Sequence, residues 1–348
     1  MIEAMENYTI KKTDLKTEIT LENAGMNAAR FVLYEICPGI LFAFNEVNTG
    51  VLPKMTLQGT TEDDCICTIN YAASGTCGLY SSGGKYIYLR AGELMISSEQ
   101  AAHSFEYPVG SYCGIEIFIM REAQAKKELL AFFNIDIEQM LDVCLPGSYS
   151  SYTLLHETLP VHQCMHSGMP GSYTTVIAEN VNLFKNTIND ILTLYEKNIL
   201  DLSLLRLHTF YLLRMLTAGV VEFRSGYEGA LSRSQVDMAK QAERLLSSNL
   251  MSRATIAGIA KDMSISATSL KNYFRAVYGQ NISEYLKMKR IDEAKKLLTE
   301  TTLSILEIAN RVGFESQSKF TAMFHAALGL TPTEFRRNNR NMNPAEKE

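Results

Sequence analysis

The chain has 348 residues, 46% hydrophobic and 20% charged, an ordinary globular balance with material for two or three domains. No stretch approaches the ~20 continuous apolar residues of a membrane span, and the charged segment 1–19 lacks the apolar core of a signal peptide, so a cytoplasmic protein with no membrane partner is expected. Seven cysteines at irregular spacing fit a reducing compartment better than a disulfide framework.

The net charge of −5 is unevenly spread. Residues 233–340 carry 17 Lys+Arg against 10 Asp+Glu, whereas residues 1–232 carry 15 against 26. A basic module following an acidic one is the asymmetry expected when one part meets phosphates and the other does not.

From about Phe31 to Met120 the chain reads as short strands. Cys65, Cys67, Ile69 and Tyr71 alternate as one buried strand face, and Ile115, Ile117 and Ile119 repeat the pattern. Ser74-Gly75, Ser82-Gly83-Gly84 and Ala91-Gly92 read as hairpin turns between such runs, which predicts a small sheet sandwich or barrel. Residues 121–145 read as helical, and 146–172, broken by prolines, as irregular. Two longer helices are expected over 174–198 and 201–219. Val176, Val181, Phe184, Ile188, Ile191, Leu192 and Tyr195 line one face of the first, and Leu204, Leu207, Tyr211, Leu212 and Met215 one face of the second. Arg224 to Ser232 then loses periodicity and gains glycine and serine, as a linker does.

Beyond the linker the chain repeats itself. Segment 256–279 aligns with 305–329: Ala260 with Ala309, Met263 with Val312 and Ile265 with Phe314. After one extra residue in the second copy, Leu270 aligns with Phe320, Phe274 with Phe324 and Gly279 with Gly329. Each copy reads as a short helix, a tight turn and a second helix. Gly313 supplies the permissive turn backbone in one copy, and Ser264 takes that place in the other at some strain. Ser266 is the expected cap of one second helix and Glu315 or Ser316 of the other. Ser304/Glu307 and Thr331/Glu334 have the spacing of capping boxes. Between the copies Ser283–Leu298 reads as one helix, with Tyr285, Met288, Ile291, Ala294 and Leu298 facing inward. Two helix-turn-helix units held apart this way would enter successive major grooves about 34 Å apart on a non-palindromic site in double-stranded DNA.

Residues 235–338 resemble the arabinose-regulator (AraC/XylS-type) DNA-binding domain. The resemblance is carried by Arg290-Ile291, Ala294, Leu297-Leu298, Ile308-Ala309, Val312-Gly313-Phe314, Ser318, Phe320, Phe324, Gly329-Leu330-Thr331-Pro332 and Phe335-Arg336. It implies an α+β transcription factor. A cupin-like β-sandwich or barrel sensor with dimerisation helices would precede an all-α domain holding the two helix-turn-helix units. The corresponding boundaries are 1–172 for the sensor, 173–222 for the helices, 223–234 for the linker and 235–340 for the DNA-binding domain. Expected partners are DNA, a second copy of the chain, a small-molecule effector and, for an activator, RNA polymerase.

The candidate DNA contacts are Ala267, Thr268, Ser269, Lys271, Asn272 and Arg275 in the first unit, Arg290 between the units, and Ser316, Gln317, Ser318, Lys319 and Thr321 in the second. The sequence departs from the family where basic residues are usual: Ala322 and His325-Ala326 stand there, so the first unit is expected to carry more of the affinity. Tyr71, Tyr86, Tyr88, His103 and Glu116, with Tyr80 nearby, are candidates for lining an effector cavity.

No enzyme activity, metal or other cofactor is expected. The strand region has only His103 of the histidines that a catalytic cupin metal would need. His162, Cys164 and His166, with His156, alternate as a soft-metal cluster would, but their spacing fits incidental loop residues better. A constitutive regulator without ligand, or a metal-dependent cupin enzyme carrying a DNA-binding module, are the alternatives.

Overall fold

The computed structural model describes residues 8–23, 26–50, 52, 65–80, 86–98, 104–121, 123–144, 152–155, 172–218, 224–225, 231–248, 250 and 255–342. The chain divides into two compact units, Met1–Ser232 and Arg233–Glu348. Ser82-Gly83-Gly84, His103, His156, His162, Cys164 and His166 lie outside the described residues.

The first unit is built on strands β1 (Tyr8–Lys12), β2 (Lys16–Asn23), β3 (Met26–Cys37), β4 (Ile40–Val47), β5 (Cys65–Tyr80), β6 (Tyr86–Arg90), β7 (Leu94–Ser98), β8 (Ser104–Glu106), β9 (Tyr112–Met120), β10 (Tyr152–Leu155) and β11 (Arg224–Ser225). They pair in the order β1-β2-β3-β4-β9-β5-β7-β10-β11, and β6 and β8 also join β5. The pairings are antiparallel. The first half of β5 pairs with β9 and β7, and its second half with β6 and β8.

Strand alternation sorts the side chains into two clusters. Phe42, Phe44, Cys67, Ile69, Tyr71, Ile115, Ile117 and Ile119 point one way, toward helices α1 (Ala123–Phe133), α2 (Ile137–Cys144), α3 (Ser172–Glu196) and α4 (Leu202–Thr217). There they meet Phe184, Ile188 and Ile191 of α3 and Leu212, Leu213 and Leu216 of α4. Tyr195 stacks on Phe44 with ring centroids 3.8 Å apart. Ile19, Leu21, Phe31, Ala72, Cys77, Leu79, Ile87, Leu89, Met95, Tyr107 and Tyr112 form the second cluster, which joins both halves of β5. Each such aromatic or branched side chain contributes roughly 1.5–3 kcal/mol on burial.

Several elements differ from the reading of the sequence. Strands begin at Tyr8, well before Phe31. The β1–β2 hairpin was invisible to periodicity because residues 9–15 are exposed and only Ile19 and Leu21 of β2 enter the core. Ser74-Gly75 is no hairpin turn: β5 runs through it with a register shift between Ala72 and Ser74, and Gly75 takes φ +74°. A Cβ there would lie 2.1 Å from the Ser111 carbonyl oxygen, so glycine is required by space as well as backbone. Part of the expected irregular segment forms β10, and Arg224-Ser225 of the expected linker forms β11, paired to it. On α4 the buried side chains are Leu205, Thr209, Leu212, Leu213, Met215, Leu216 and Thr217, whereas Leu204, Leu207 and Tyr211 are 36%, 65% and 44% exposed. The helix is apolar on more than one side, so periodicity alone picked a stripe that mostly faces outward.

The second unit is helical: α5 (Arg233–Ser247), α6 (Ile256–Asp262), α7 (Ala267–Tyr278), α8 (Ile282–Glu300), α9 (Ile305–Arg311), α10 (Gln317–Leu328) and α11 (Pro332–Met342). The long α8 serves two cores. Ile282 and Tyr285 are buried in its first part, where Tyr285 packs its ring against Phe274 and Tyr278 of α7 and donates its hydroxyl to Glu243 of α5 at 2.8 Å. Ile291, Ala294 and Leu298 pack in the second part with Ile308, Ala309, Val312, Phe320 and Phe324. Met288 does not join the buried face as expected. It is 45% exposed, because it falls between the two cores, after Ile282 and Tyr285 and before Ile291.

Candidate nucleic-acid interface

The two helix pairs are built alike, bond for bond. In the first turn Ser264 N–H donates to Lys261 and Ile265 N–H to Ala260, at 3.0 and 2.9 Å. In the second, Gly313 donates to Asn310 and Phe314 to Ala309, at 3.0 and 2.8 Å. The residue at the bend has positive φ in both, 56° at Ser264 and 84° at Gly313. Helices α7 and α10 are each 12 residues long. They are capped at the N-terminus by Ser266 and Ser316, whose hydroxyls accept from Ser269 and Lys319 backbone N–H, and ended by Gly279 and Gly329 at φ 73° and 70°. Small buried Ala260 and Ala309 sit in α6 and α9 at equivalent places. Both capping boxes form: Ser304 with Glu307 before α9, and Thr331 with Glu334 before α11. Their hydrogen bonds hold the Glu307 and Glu334 carboxyls below the usual range.

The outward face of α7 carries exposed Thr268, Lys271, Asn272 and Arg275, with Ala267 and Ser269 partly covered at its start. Ser269 is engaged in the cap, its hydroxyl 2.9 Å from that of Ser266. On α10, Gln317, Ser318 and Lys319 are exposed and Ser316 and Thr321 partly so, and further along Ala322, His325 and Ala326 are exposed as well. A solvent-facing helix with its polar N-terminal residues free is what a major-groove reader requires.

The family described as a helix-turn-helix domain matches residues 259–338. The chain is 35% identical over 88 residues to the HTH-type transcriptional activator AarP of Providencia stuartii, covering 25% of this chain and 65% of that protein. It is 39% identical over 80 residues to the probable transcription factor PqrA of Proteus vulgaris, covering 23% and 66%. Over a longer span of 217 residues it is 24% identical to the Msm operon regulatory protein of Streptococcus mutans, covering 61% and 73%. Residues 259–338 carry a helix-turn-helix domain of the AraC/XylS type.

Within this AraC/XylS-type domain Arg290 stands apart from the other candidates. It lies on α8, partly buried, and its Nη2 donates to the Leu250 carbonyl at 3.3 Å while the guanidinium sits 5.6 Å from the Phe314 ring centroid. Arg336 is spent in a similar way, donating to the carbonyls of Leu298 and Leu303 at 3.4 and 2.6 Å.

In the first unit the effector candidates do not converge. Tyr71 packs with the helix-side cluster. Tyr86 lies against Tyr80, ring centroids 4.8 Å apart, and Tyr88 donates to Glu106. Tyr86 and Tyr88 share register with Tyr80 and Gly78, opposite the face that carries Cys77, Leu79, Ile87 and Leu89. Glu116 is on the inner face of β9. The side chains that do surround Glu116 went unnoticed in the sequence. Asn45 donates to its Oε2 at 3.2 Å, Asn70 bonds it from β5, and Tyr112 donates its hydroxyl to Asn70 Oδ1 at 2.8 Å. The available signal was two asparagines at strand positions that alternate with apolar ones. Burial pushes the Glu116 carboxyl up to about 7, against the lowering effect of the two amides. Among the described residues there is no group of three or more His, Cys, Asp or Glu placed to hold a metal.

Proposed function

We propose that the chain is a sequence-specific, double-stranded-DNA-binding transcription regulator. The observation that carries this is the pair of equivalent helix-turn-helix units with open recognition helices α7 and α10, in the part of the chain that is similar to named transcription regulators. Lys271, Arg275 and Lys319 supply phosphate contacts, and Thr268, Asn272, Gln317 and Ser318 face base edges. AarP and PqrA are named as an activator and a probable transcription factor, which supports an activator that works with RNA polymerase here. No helix among the described residues is long and apolar enough to cross a membrane, which agrees with a regulator that works beside the chromosome in the cytoplasm.

The unit Met1–Ser232 acts as a ligand-binding sensor, and two copies pair through α4. The exposed stripe of Leu204, Leu207 and Tyr211 supports the pairing, since a contiguous apolar face left outward marks an association surface. A partly open carboxyl on the sheet face that carries the inner cluster, Glu116, supports the sensing role.

Genome-wide binding of the tagged protein followed by a salt titration on the best site tests the proposal. A defined site about two helical turns long, with affinity falling steeply in salt, is expected. Diffuse binding that neither candidate effectors nor basic residues restored in α10 rescue would overturn it.

A further inference from the structure

Glu116 stands in the middle of β9, with β4 and β5 hydrogen-bonded on either side. Its strand neighbours Ile115 and Ile117 point the other way, into the cluster under the helices. On its own face the cross-strand positions are Ala43 and Asn70, and one rung along Gly114 lies between Asn45 and Ala72. Ala43, Ala72 and Gly114 have almost no side chain, so this part of the face is a floor of small residues around one carboxyl. Gly114 is needed there: a Cβ would come within 2.4 Å of the Tyr112 hydroxyl, which crosses this position to reach Asn70. Burial dominates the acid–base behaviour of Glu116, yet its side chain is not sealed and keeps part of its surface open. A carboxyl at the centre of a sheet that keeps part of its surface open is the group a ligand on this face would meet.

Among the described residues the interactions that govern Glu116 are burial, Asn45 and Asn70, with no lysine or arginine. Arg30, on β3, is committed elsewhere, to Glu18 at 2.8 Å and the Tyr195 hydroxyl at 3.0 Å. Two tyrosines that interact with Glu116, Tyr107 and Tyr112, pack with ring centroids 5.3 Å apart in the cluster on this face, with only their edges reaching its surface. A carboxylate with an apolar, aromatic neighbourhood is the combination that attracts an organic cation with an apolar body, through a charge-assisted hydrogen bond to the head and apolar contact to the body. A neutral polyol gives the ionised carboxylate no counter-charge, whereas a cation stabilises that form over the protonated one.

We infer that the sheet face at Glu116 binds a small organic cation, a primary ammonium or guanidinium compound with an apolar body, its charged head on the Glu116 carboxylate and its body against Tyr107 and Tyr112. This rests on the sensor reading of Met1–Ser232 given above.

The test uses the full chain in amine-free phosphate buffer, with thermal melting and calorimetric titration. The probes are phenethylamine and butylguanidine, their neutral counterparts phenylethanol and butanol, and a hexose. The two cations are expected to raise the melting midpoint and the alcohols to leave it unchanged. Glu116→Gln should weaken the cations at least tenfold, while Glu116→Asp, which keeps the charge, should retain measurable binding. Equal binding of cation and alcohol, or cation binding unaltered in Glu116→Gln, overturns the inference. If Glu116→Gln does not fold, the Asp variant and the cation–alcohol comparison in the natural chain still decide it. A hexose that binds and changes DNA affinity, with cations inert, sinks the cation and leaves the sensor standing. No melting shift with any probe, together with a DNA affinity unmoved by every probe and by a deproteinised small-molecule extract, sinks both.

Discussion

Arg290 donates to the carbonyl of Leu250 at 3.3 Å, joining the helix between the two DNA-binding units to the α5–α6 connection. The same guanidinium lies over Phe314, just past the bend of the second unit, so one side chain ties the first unit to the turn of the second. Lysine cannot reproduce a planar, forked donor stacked on a ring. Arg290→Lys and Arg290→Ala are therefore expected to lower the unfolding free energy of the DNA-binding unit by about 1–3 kcal/mol. The salt dependence of DNA binding should keep its slope, since no phosphate contact is lost. Chemical denaturation and a salt titration on the same variants separate the two roles: a slope reduced by about one with stability intact would make Arg290 a phosphate contact instead.

The bends of the two units differ in what they tolerate. A Cβ on Gly313 would lie 2.2 Å from the Leu250 carbonyl oxygen, at a φ of +84°. Gly313→Ala must move the α5–α6 connection and carry the left-handed backbone, a cost of at least about 2 kcal/mol. Ser264 already bears a φ of 56°. Ser264→Gly relieves that strain and adds freedom to the unfolded chain, so a change within about 1 kcal/mol is expected. Equal losses in the two variants, measured by denaturant unfolding, would show that the Leu250 carbonyl does not close the space at Gly313 as described.

The helical unit was legible because its signals are local. Ser266, Ser304, Thr331 and Gly329 act within four residues of where they stand, and the caps form as their spacing implies. Of the two cap candidates before α10, Ser316 is the one used. Helix α8 shows the limit: its buried residues answer to two separate cores, and a single-face reading misplaced Met288. In the sheet the pairing of β10 with β7, more than fifty residues apart, left no local mark. The sequence read Tyr71 and Glu116 as lining one cavity, but alternation puts their side chains on opposite faces of the sheet. Asn45 and Asn70 were passed over because periodicity counts apolar positions and is blind to which polar ones turn inward.

Equivalent geometry with unlike surfaces predicts unequal units. The caps Ser266/Ser316 and Gly279/Gly329 set Lys271, Asn272 and Arg275 against Thr321, Ala322 and His325. The double variant Lys271→Ala/Arg275→Ala should reduce the salt slope by about two, and Lys319→Ala by about one. Exposed Ala322 and Ala326 offer only apolar contact, which suits thymine methyl groups. Replacing thymine by uracil in the half-site of the second unit should weaken binding several-fold. Loss of affinity confined to uracil in the half-site of the first unit would reverse this assignment.

Stability of the unit Met1–Ser232 should depend on pH through Glu116. Its carboxyl is raised from 4.5 to about 7 by burial, so the folded chain holds the proton more tightly than the unfolded one. The contribution is fully present below 4.5 and is lost as pH rises through about 7, which is opposite in sign to a paired carboxylate. Between pH 5 and 8 the loss amounts to about 2–3 kcal/mol. Glu116→Gln removes the titration and keeps a hydrogen-bonding group among Asn45 and Asn70. The natural chain should therefore lose stability relative to Glu116→Gln across that interval, read as the difference between two denaturation series so that other titrating groups cancel. A difference that stays flat from pH 5 to 8 would show that the carboxyl is already ionised and solvated in the folded protein, and with it the desolvated site would go.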